Sequence, residues 1–550
     1  MKLCEWISLL IKQSNYKVFG LPGYAIMPIW DAIGKENDII LSRHESGAVF
    51  MADGYTRKTG KLSVVLGTVG PGQTNMTTGV ACAYKDSIPL LIVTGQNNLS
   101  RFGKGEFQES CGLDRSFQPS KLFDGITKMS MEITSIDNAT FIFEKAIQLA
   151  TEGRPGPVHI SVPFDLQNAI ICEKTVEKHN DSKIATGFYD ELHLQKVADI
   201  INRAERPLVL VGWGAYLCRA STQIKTFAER LSCPIISTIK GLAAVSSTWA
   251  WYIGHIGNGY CFVTKNFLKD YKPDLLICLG TSLSSYYMDS VTELLKETII
   301  CQVDIDSSQI GLHYDVDIGF VADVSIWLKN VLQKIKNKDL CLDSIADVNK
   351  KYIQYTSETA NVHRGLFSES INLLNSILPE DAIVIPDAGN HWLNTLSLYR
   401  TKNVDGFMTN AGLGAMGHAI GCSIGISLAD KSRPVVCITG DGSALMSGTE
   451  ISVSSEQNCP IIFIIYNDSS LGRVRCYQVA NSTKTTTSDL PKINFQNIGC
   501  GLGAQSISVN SIEQFYIAMK NALESRDTWV IEVIISKHDI PIFLNGKMGR

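Results

Sequence analysis

VVCITGDGSALMSGTEISVSSEQNCPIIFIIYND, residues 435–468, is the stretch whose reading decides the fold. A buried β-type run over 435–439 enters a tight Gly440-Asp441-Gly442 turn. A helix-like middle follows, and a second apolar run over 460–466 ends in Asn467-Asp468. Two parallel strands joined by a helix bring both strand ends and the helix N-terminus to one sheet edge, where open α/β sheets bind ligands. Asp441 and Asp468 are therefore expected to meet in space.

Such a corner suits a diphosphate held through a divalent metal. Free N–H groups of Gly442 and Ser443 and the positive end of the helix dipole attract anionic oxygens. The side chains of Asp441 and Asp468, with the carbonyl of Ser470, could complete a Mg²⁺ octahedron. Gly-Asp-Gly by itself is equally an ordinary strand-to-helix turn; the second strand ending in Asn-Asp is what raises it. Here the run resembles the cofactor motif of the thiamine diphosphate enzymes, which begins GDG and ends about this far on with NN. The second Asn of that pattern is Asp468 in this chain, which can still ligate Mg²⁺ but adds negative charge. The resemblance makes Gly440, Gly442 and Ser443 cofactor contacts.

Working outward, 550 residues exceed a single core and predict about three units. With 45% hydrophobic and 19% charged residues the chain can bury those cores. A net charge of −4 gives no basic stripe for nucleic acid. The 15 cysteines show no CxxC or zinc spacing, which suits a reducing compartment. The amphipathic start MKLCEWISLLIKQ lacks the long apolar core and small-residue cleavage site expected of a signal peptide, and no run of 18 apolar residues occurs, so a soluble cytoplasmic protein is expected.

The expected first unit, residues 1–171, alternates helical stretches with β-rich runs at 17–20, 39–41, 63–68, 90–94 and 158–162, the pattern of a doubly wound parallel sheet. Loops containing Tyr24, the run Gly70-Pro71-Gly72-Gln73-Thr74-Asn75, and residues 103–109 each lie near a strand end and could line one edge. Glu45 opens a helix, where a carboxylate is at home on dipole grounds alone. The arrangement HESGAVFMADGYTRKTG, then GTVGPGQTN, then Phe107-Gln108-Glu109, is similar to the pyrimidine-binding domain of acetolactate synthase-type enzymes. By that resemblance Glu45 is the glutamate bonded to the cofactor's N1′, promoting the imino tautomer that deprotonates C2. A partly desolvated glutamic acid suits that work because burial disfavours its charged form. Asn75 is matched to the cofactor, Gln108 to the reacting oxygens, and Phe107 and Tyr24 to the substrate cavity, Tyr24 replacing a Gly of the family's PGG loop.

After a polar linker at 172–187, a second unit over 188–337 shows strands at 208–211, 235–238, 275–279 and 299–303. Gly212-Trp213-Gly214 lacks the third glycine of a dinucleotide fingerprint. Biosynthetic acetolactate synthases carry FAD in this domain; the segment expected to contact it is Thr281-Ser282-Leu283-Ser284-Ser285 here, so FAD stands as possible only.

A charged connector at 338–365 leads to a third unit, 366–550, beginning with a strand at 382–387. Gly389-Asn390-His391 resembles the family's GQH, whose side chains reach the diphosphate, and Gly412-Leu413-Gly414-Ala415-Met416-Gly417 resembles its GLGAMG loop, which makes Met416 the wedge that bends thiamine into a V. As a lone methionine it would be core filler. Beyond the metal loop the likeness fails: Arg473 stands where the family has Met, and Tyr477 where it has Trp. Arg473 either turns to solvent or clamps an anionic group on the substrate.

The resemblance covers nearly the whole chain. It implies three doubly wound α/β domains and thiamine diphosphate with Mg²⁺ between the first domain of one subunit and the third of another. A homodimer or homotetramer follows. It also implies decarboxylation of pyruvate or a related 2-oxo acid and transfer of the acyl unit to a carbonyl acceptor, with the thiazolium as electron sink. The rivals are simple decarboxylation, against which stands the lack of a His-His pair at 101–111, an acyl-CoA lyase, and a non-catalytic thiamine-binding scaffold, against which stands Glu45.

Overall fold

The computed structural model describes residues 1–171, 190–257, 262–338, 350 and 365–539. The linker expected at 172–187, and nearly all of the connector at 338–365, lie outside the described residues.

The core strands are β-branched and buried on both faces, as strands covered on either side by helices must be. Three sheets result, and every strand pairing within them is parallel. In the first, six strands run in the order β2 (Ile39–Leu41), β1 (Lys17–Gly20), β3 (Ser63–Gly67), β4 (Leu90–Gln96), β6 (Val158–Pro163), β5 (Ser130–Glu132). The second runs β12 (Ile318–Val321), β11 (Ile299–Asp304), β10 (Leu275–Leu279), β7 (Pro207–Val211), β8 (Ile235–Thr238), β9 (Tyr252–Ile256). Five strands make the third: β13 (Ile383–Pro386), β14 (Val435–Gly440), β15 (Ile461–Asn467), β17 (Trp529–Ile534), β16 (Gln505–Val509). Each order reverses within its sheet, the mark of a doubly wound α/β fold.

The expected runs at 17–20, 39–41, 235–238 and 275–279 coincide with β1, β2, β8 and β10. Five strands do not stand out in the hydropathy. Among them, β5, β9, β12 and β16 lie at sheet edges, where a strand needs only one partner and less apolar cover. The fifth, β17, is interrupted by Glu532, a buried carboxylate satisfied by Asn467 Nδ2 at 2.7 Å and Gln496 N at 3.3 Å. The helix expected after Gly442 is broken: Asp441–Ser447 passes through a 3₁₀ turn, Gly448–Glu450, into Ile451–Glu456.

The first and third units join helix to helix. Helix Glu45–Thr59 packs on helix His418–Ala429 so closely that a Cβ on Gly54 would stand 2.1 Å from the Cys422 carbonyl oxygen, and one on Gly425 would stand 1.9 Å from that of Met51. Around this contact all three units share a buried ion cluster. The Arg57 guanidinium holds both oxygens of Asp53 and reaches Asp86 Oδ2 at 2.7 Å. Lys240 Nζ from the second unit lies 2.8 Å from Asp86 Oδ1, and Trp213 of that unit puts its ring under the guanidinium and its Nε1 on the Asp86 carbonyl. His418 Nε2 of the third unit is 3.5 Å from Asp53 Oδ1. Asp53, His418 and Cys422 bring potential ligand atoms within 4.8 Å of one another. With both Asp53 oxygens taken by Arg57, that group reads as an ion cluster rather than a metal centre. Among the described residues, no helix is long and apolar enough to cross a membrane.

Candidate active site

The edge formed by the C-terminal ends of β14 and β15 is built as a corner. Strand β14 ends at Gly440, and Asp441 starts the next helix with its own Oδ1 accepting from Gly442 N at 2.7 Å. After β15, Ser469 takes a left-handed φ of 52° and turns the chain back. The Ser470 amide then points into the corner, donating to Asp441 Oδ2 at 3.1 Å and to Asp468 Oδ1 at 3.0 Å. The two carboxylates thus meet, as the strand-helix-strand reading requires. Burial, and then the charge of Asp468, push Asp441 up to about 7; Asp468 is raised as well, chiefly by burial. Two acids held this close in low dielectric favour a cation between them. The Ser470 carbonyl accepts from Gly472 N at 2.9 Å and keeps a second lone pair.

Side chains from two further loops close on this corner. His391, at the start of helix Asn390–Leu398, lays its Cε1 3.0 Å from where a Cβ on Gly440 would stand. Burial drives its imidazole down to about 4, so it is neutral at ordinary pH. Asn390 Nδ2 would lie 2.9 Å from a Cβ on Gly472. Met416 Cε is 3.1 Å from the Cβ position of Gly442, so the three glycines leave the space these side chains occupy. Ser443, buried, lies one residue beyond Gly442 on the same first turn.

In the first unit, Glu45 opens its helix with the His44 ring as cap, Nδ1 accepting from Ser46 N. The Glu45 carboxylate is 7% exposed and accepts from Asn75 Nδ2 at 2.9 Å, so Asn75 is placed on Glu45 rather than on the Asp441 corner. Gln108 takes a left-handed φ of 58° and sets its Cβ 3.1 Å from the Cβ position of Gly70. Tyr24 stacks on Phe164 at 4.9 Å, and Phe107 is 84% exposed with its carbonyl held by Asn97 Nδ2. Glu45 and these loops follow β2, β1, β3 and β4, so all open at the C-terminal edge of the first sheet. Within one chain, the structure gathers the residues into two groups: Glu45, Asn75, Gln108, Phe107 and Tyr24 on one sheet, and Asn390, His391, Met416, Gly440–Ser443, Asp468 and Ser470 on the other. Arg473 and Tyr477 are exposed on helix Gly472–Ala480, which leaves the second group and carries no buried residue.

Three family models describe these units in order: the thiamine pyrophosphate enzyme N-terminal TPP binding domain over residues 1–116, its central domain over 194–335, and its C-terminal TPP binding domain over 387–533. The acetolactate synthase large subunit of Lactococcus lactis is 30% identical, over 96% of this chain and 92% of that protein. This chain belongs to the thiamine pyrophosphate enzymes of the acetolactate synthase large-subunit family. Isozyme 1 of Escherichia coli K12 is also 30% identical, over 92% of this chain and 89% of its own length, and a probable large subunit of Methanocaldococcus jannaschii is 29% identical over 97% and 92%. A family member of this kind is a thiamine diphosphate-dependent enzyme.

The residues fit that group. Asn390 Oδ1 and His391 Nε2 are buried at the corner and have no hydrogen-bond partner among the described residues, and buried polar atoms left so are costly unless a ligand meets them. The Gly442 amide, expected to be free, is taken by Asp441; the two acids and the two orphaned side-chain atoms are the donor set for a metal-bound diphosphate.

Two acids of this family member are not apparent from its motifs. Asp387, at the end of β13, accepts from Gly417 N at 2.7 Å and Thr439 Oγ1 at 3.1 Å, and so pins the loop carrying Met416 to the sheet. Its place at the end of a buried strand, just before Gly389-Asn390-His391, was the available signal. Glu450 of the third unit accepts from Arg43 N and His44 N at 3.1 and 2.9 Å, directly behind Glu45. Nothing in sequence links residues 44 and 450; only the helix packing does. Burial pushes Glu450 up to about 7 from its ordinary 4.5, against those two amides and with a smaller push from Glu45. Because the folded value lies above the unfolded one, its contribution to stability is complete below about 4.5 and is lost as pH rises to about 7. Glu450→Gln is expected to flatten the pH dependence of thermal stability across that window; a constant offset between the two melting curves from pH 4.5 to 7 would show that Glu450 does not titrate there.

Proposed function

We propose that the chain is a carboligase: it decarboxylates pyruvate or a related 2-oxo acid and joins the acyl unit to an aldehyde or ketone. The C–C bond to the donor carboxylate breaks and CO₂ leaves. The electron pair left on the acyl carbon forms the new C–C bond to the acceptor carbonyl carbon, whose oxygen takes one proton. Donor, acceptor and proton thus give CO₂ and a 2-hydroxy ketone, with no oxidant or reductant consumed. Thiamine diphosphate, when bound, supplies the electron sink that makes this possible.

In this reading Asp441, Asp468 and the Ser470 carbonyl hold Mg²⁺. Asn390, His391, Gly440, Gly442 and Ser443 would meet the diphosphate, and Met416 would lie against the cofactor's rings. Glu45 gives and takes a proton at the aminopyrimidine ring and is oriented by Asn75. Gln108 donates to the reacting oxygens, and Tyr24, Phe107, Arg473 and Tyr477 shape the substrate space. The units run 1–171, 188–337 and 366–550. In a homodimer or homotetramer the Glu45 edge of one copy faces the Asp441 corner of another, in the cytoplasm. FAD in the second unit is a separate extension of the reading, tested by flavin absorbance that persists through purification.

The observation that carries the proposal is the Asp441–Ser470–Asp468 corner with His391 Nε2 unpartnered beside it. The test is incubation of purified protein with Mg²⁺, thiamine diphosphate and pyruvate across an acceptor panel, with CO₂ and condensation products followed by mass spectrometry. Release of CO₂ together with a 2-hydroxy ketone is expected. CO₂ with acetaldehyde as the sole product would sink the carboligase reading in favour of simple decarboxylation.

A further inference from the structure

We infer that Glu450 is a positioning residue for Glu45: from the third unit, its carboxylate fixes the turn that sets Glu45 at the edge of the first sheet. The inference rests on the proton-transfer role given to Glu45 in the carboligase reading, and adds what holds that residue in place.

Strand β2 ends at Leu41, and the helix opened by Glu45 starts four positions on. Ser42 still belongs to the first sheet, its N and Oγ both donating to the Gly20 carbonyl at 3.0 and 3.1 Å. The next two amides donate instead to Glu450. Arg43 N reaches both carboxylate oxygens at 3.1 Å, and His44 N reaches Oε1 at 2.9 Å. The peptide units that lead into Glu45 are thus held by a side chain more than 400 positions away, only 1% exposed.

Room for that carboxylate is made on the Glu45 helix itself. A Cβ on Gly47 would stand 2.1 Å from Glu450 Oε1, so no other residue at 47 leaves the seat open. Glycine is a poor helix former, and in this first turn its missing side chain is what the contact uses. The Arg43 side chain adds two further ties to the same stretch of the third unit, Nε to Ser452 Oγ at 2.9 Å and Nη2 to Glu456 Oε2 at 2.5 Å.

Glu45 is therefore held from two sides. Asn75 Nδ2 meets its carboxylate at 2.9 Å, while Glu450 meets the backbone that carries it. The first contact sets the end of the side chain and the second sets its root. Loss of the second leaves two amides to find new acceptors and lets the root shift, and a displacement of about 1 Å at a reacting group costs on the order of a hundredfold in rate.

The test compares full-length wild type with Glu450→Ala, Glu450→Gln and Gly47→Ala. Three quantities are read: amide hydrogen exchange over residues 42–47 in the protein without cofactor, hydrogen–deuterium exchange at C2 of thiamine diphosphate bound with Mg²⁺ and no donor, and the affinity for thiamine diphosphate. In Glu450→Ala the amides of Arg43 and His44 should exchange about tenfold faster, the weight of one hydrogen bond. C2 exchange should slow by about ten- to a hundredfold, with cofactor affinity unchanged because the Asp441 corner is untouched. Glutamine keeps an oxygen that can accept from both amides, as Oε1 does, so Glu450→Gln should restore most of both rates. Faster amide exchange with C2 exchange at the wild-type rate would overturn the inference, since Glu450 would then only staple two units together. So would C2 exchange that falls in step with cofactor affinity. If Glu450→Ala does not fold, Gly47→Ala decides: a Cβ in the carboxylate's seat should slow C2 exchange, and the wild-type rate would overturn the inference. A wild type that exchanges C2 but forms no ligation product sinks the carboligase reading and leaves this test intact; one with no C2 exchange overturns both.

Discussion

Glu45→Gln is expected to lower turnover by about 10²–10⁴-fold, the usual worth of a positioned acid or base, while leaving the fold in place. Glutamine preserves the length of the side chain and an oxygen to accept from Asn75 Nδ2, the hydrogen bond that the Glu45 carboxylate accepts at 2.9 Å. Glutamine is neutral, so no charge is created in a position only 7% exposed. What it removes is the ability to hold a proton at the cofactor's ring and release it again. Thermal stability should therefore change little, and thiamine diphosphate should still bind through the Asp441 corner on the other sheet. The decisive measurement is kcat for CO₂ release at saturating cofactor: near-normal turnover would remove Glu45 from the chemistry, whereas loss of activity that tracks loss of cofactor binding would make it a binding residue only.

Arg57→Met is expected to cost about 3–5 kcal/mol of stability, the price of breaking a buried ion cluster by taking out one partner. Arg57 is 1% exposed and Asp53 and Asp86 are fully buried. Burial alone would raise both acids, yet Arg57 outweighs it at Asp53, and Lys240 with Arg57 outweighs it at Asp86, so both are held below the ordinary range. In the wild type these depressed values stabilise the fold above the unfolded pKa, and that contribution is lost only in strong acid. With methionine at 57, Asp53 loses its guanidinium and keeps His418 at 3.5 Å, and its folded pKa should rise above the unfolded one. The variant then loses stability as pH rises, so its deficit against wild type should be largest at neutral pH and shrink toward pH 4. Denaturant midpoints at the two pH values measure this, and Asp53→Asn in the Arg57→Met background should recover part of the loss. Equal deficits at both pH values would mean that lost packing on Trp213, not stranded charge, sets the cost.

Much of the candidate site was legible from local pattern. β-Branched runs at 435–439 and 460–466 became adjacent parallel strands, and the Gly-Asp-Gly turn and Asn-Asp end came together because a strand-helix-strand unit leaves no other arrangement. Ser470 was placed less fully: its amide bridges the two acids while its carbonyl is partly engaged by Gly472. Asn75 was legible as a site residue but not as the partner of Glu45, because thirty positions of chain hide a contact between two helix starts. Glu450 and the Arg57 cluster were not legible at all, since each depends on which helix faces which.

The sequence by itself determined the α/β character of the three units, the strand ends that carry Asp441 and Asp468 and the family motifs, because periodicity, turn residues and short-range spacing are local properties of a chain. Tertiary structure alone decided that Glu450 backs Glu45 and that Arg57 ties three units together. The reason is physical: the pairing of buried charges and the approach of Gly54 to the Cys422 carbonyl depend on long-range packing, which brings together residues hundreds of positions apart and leaves no trace in the spacing of either.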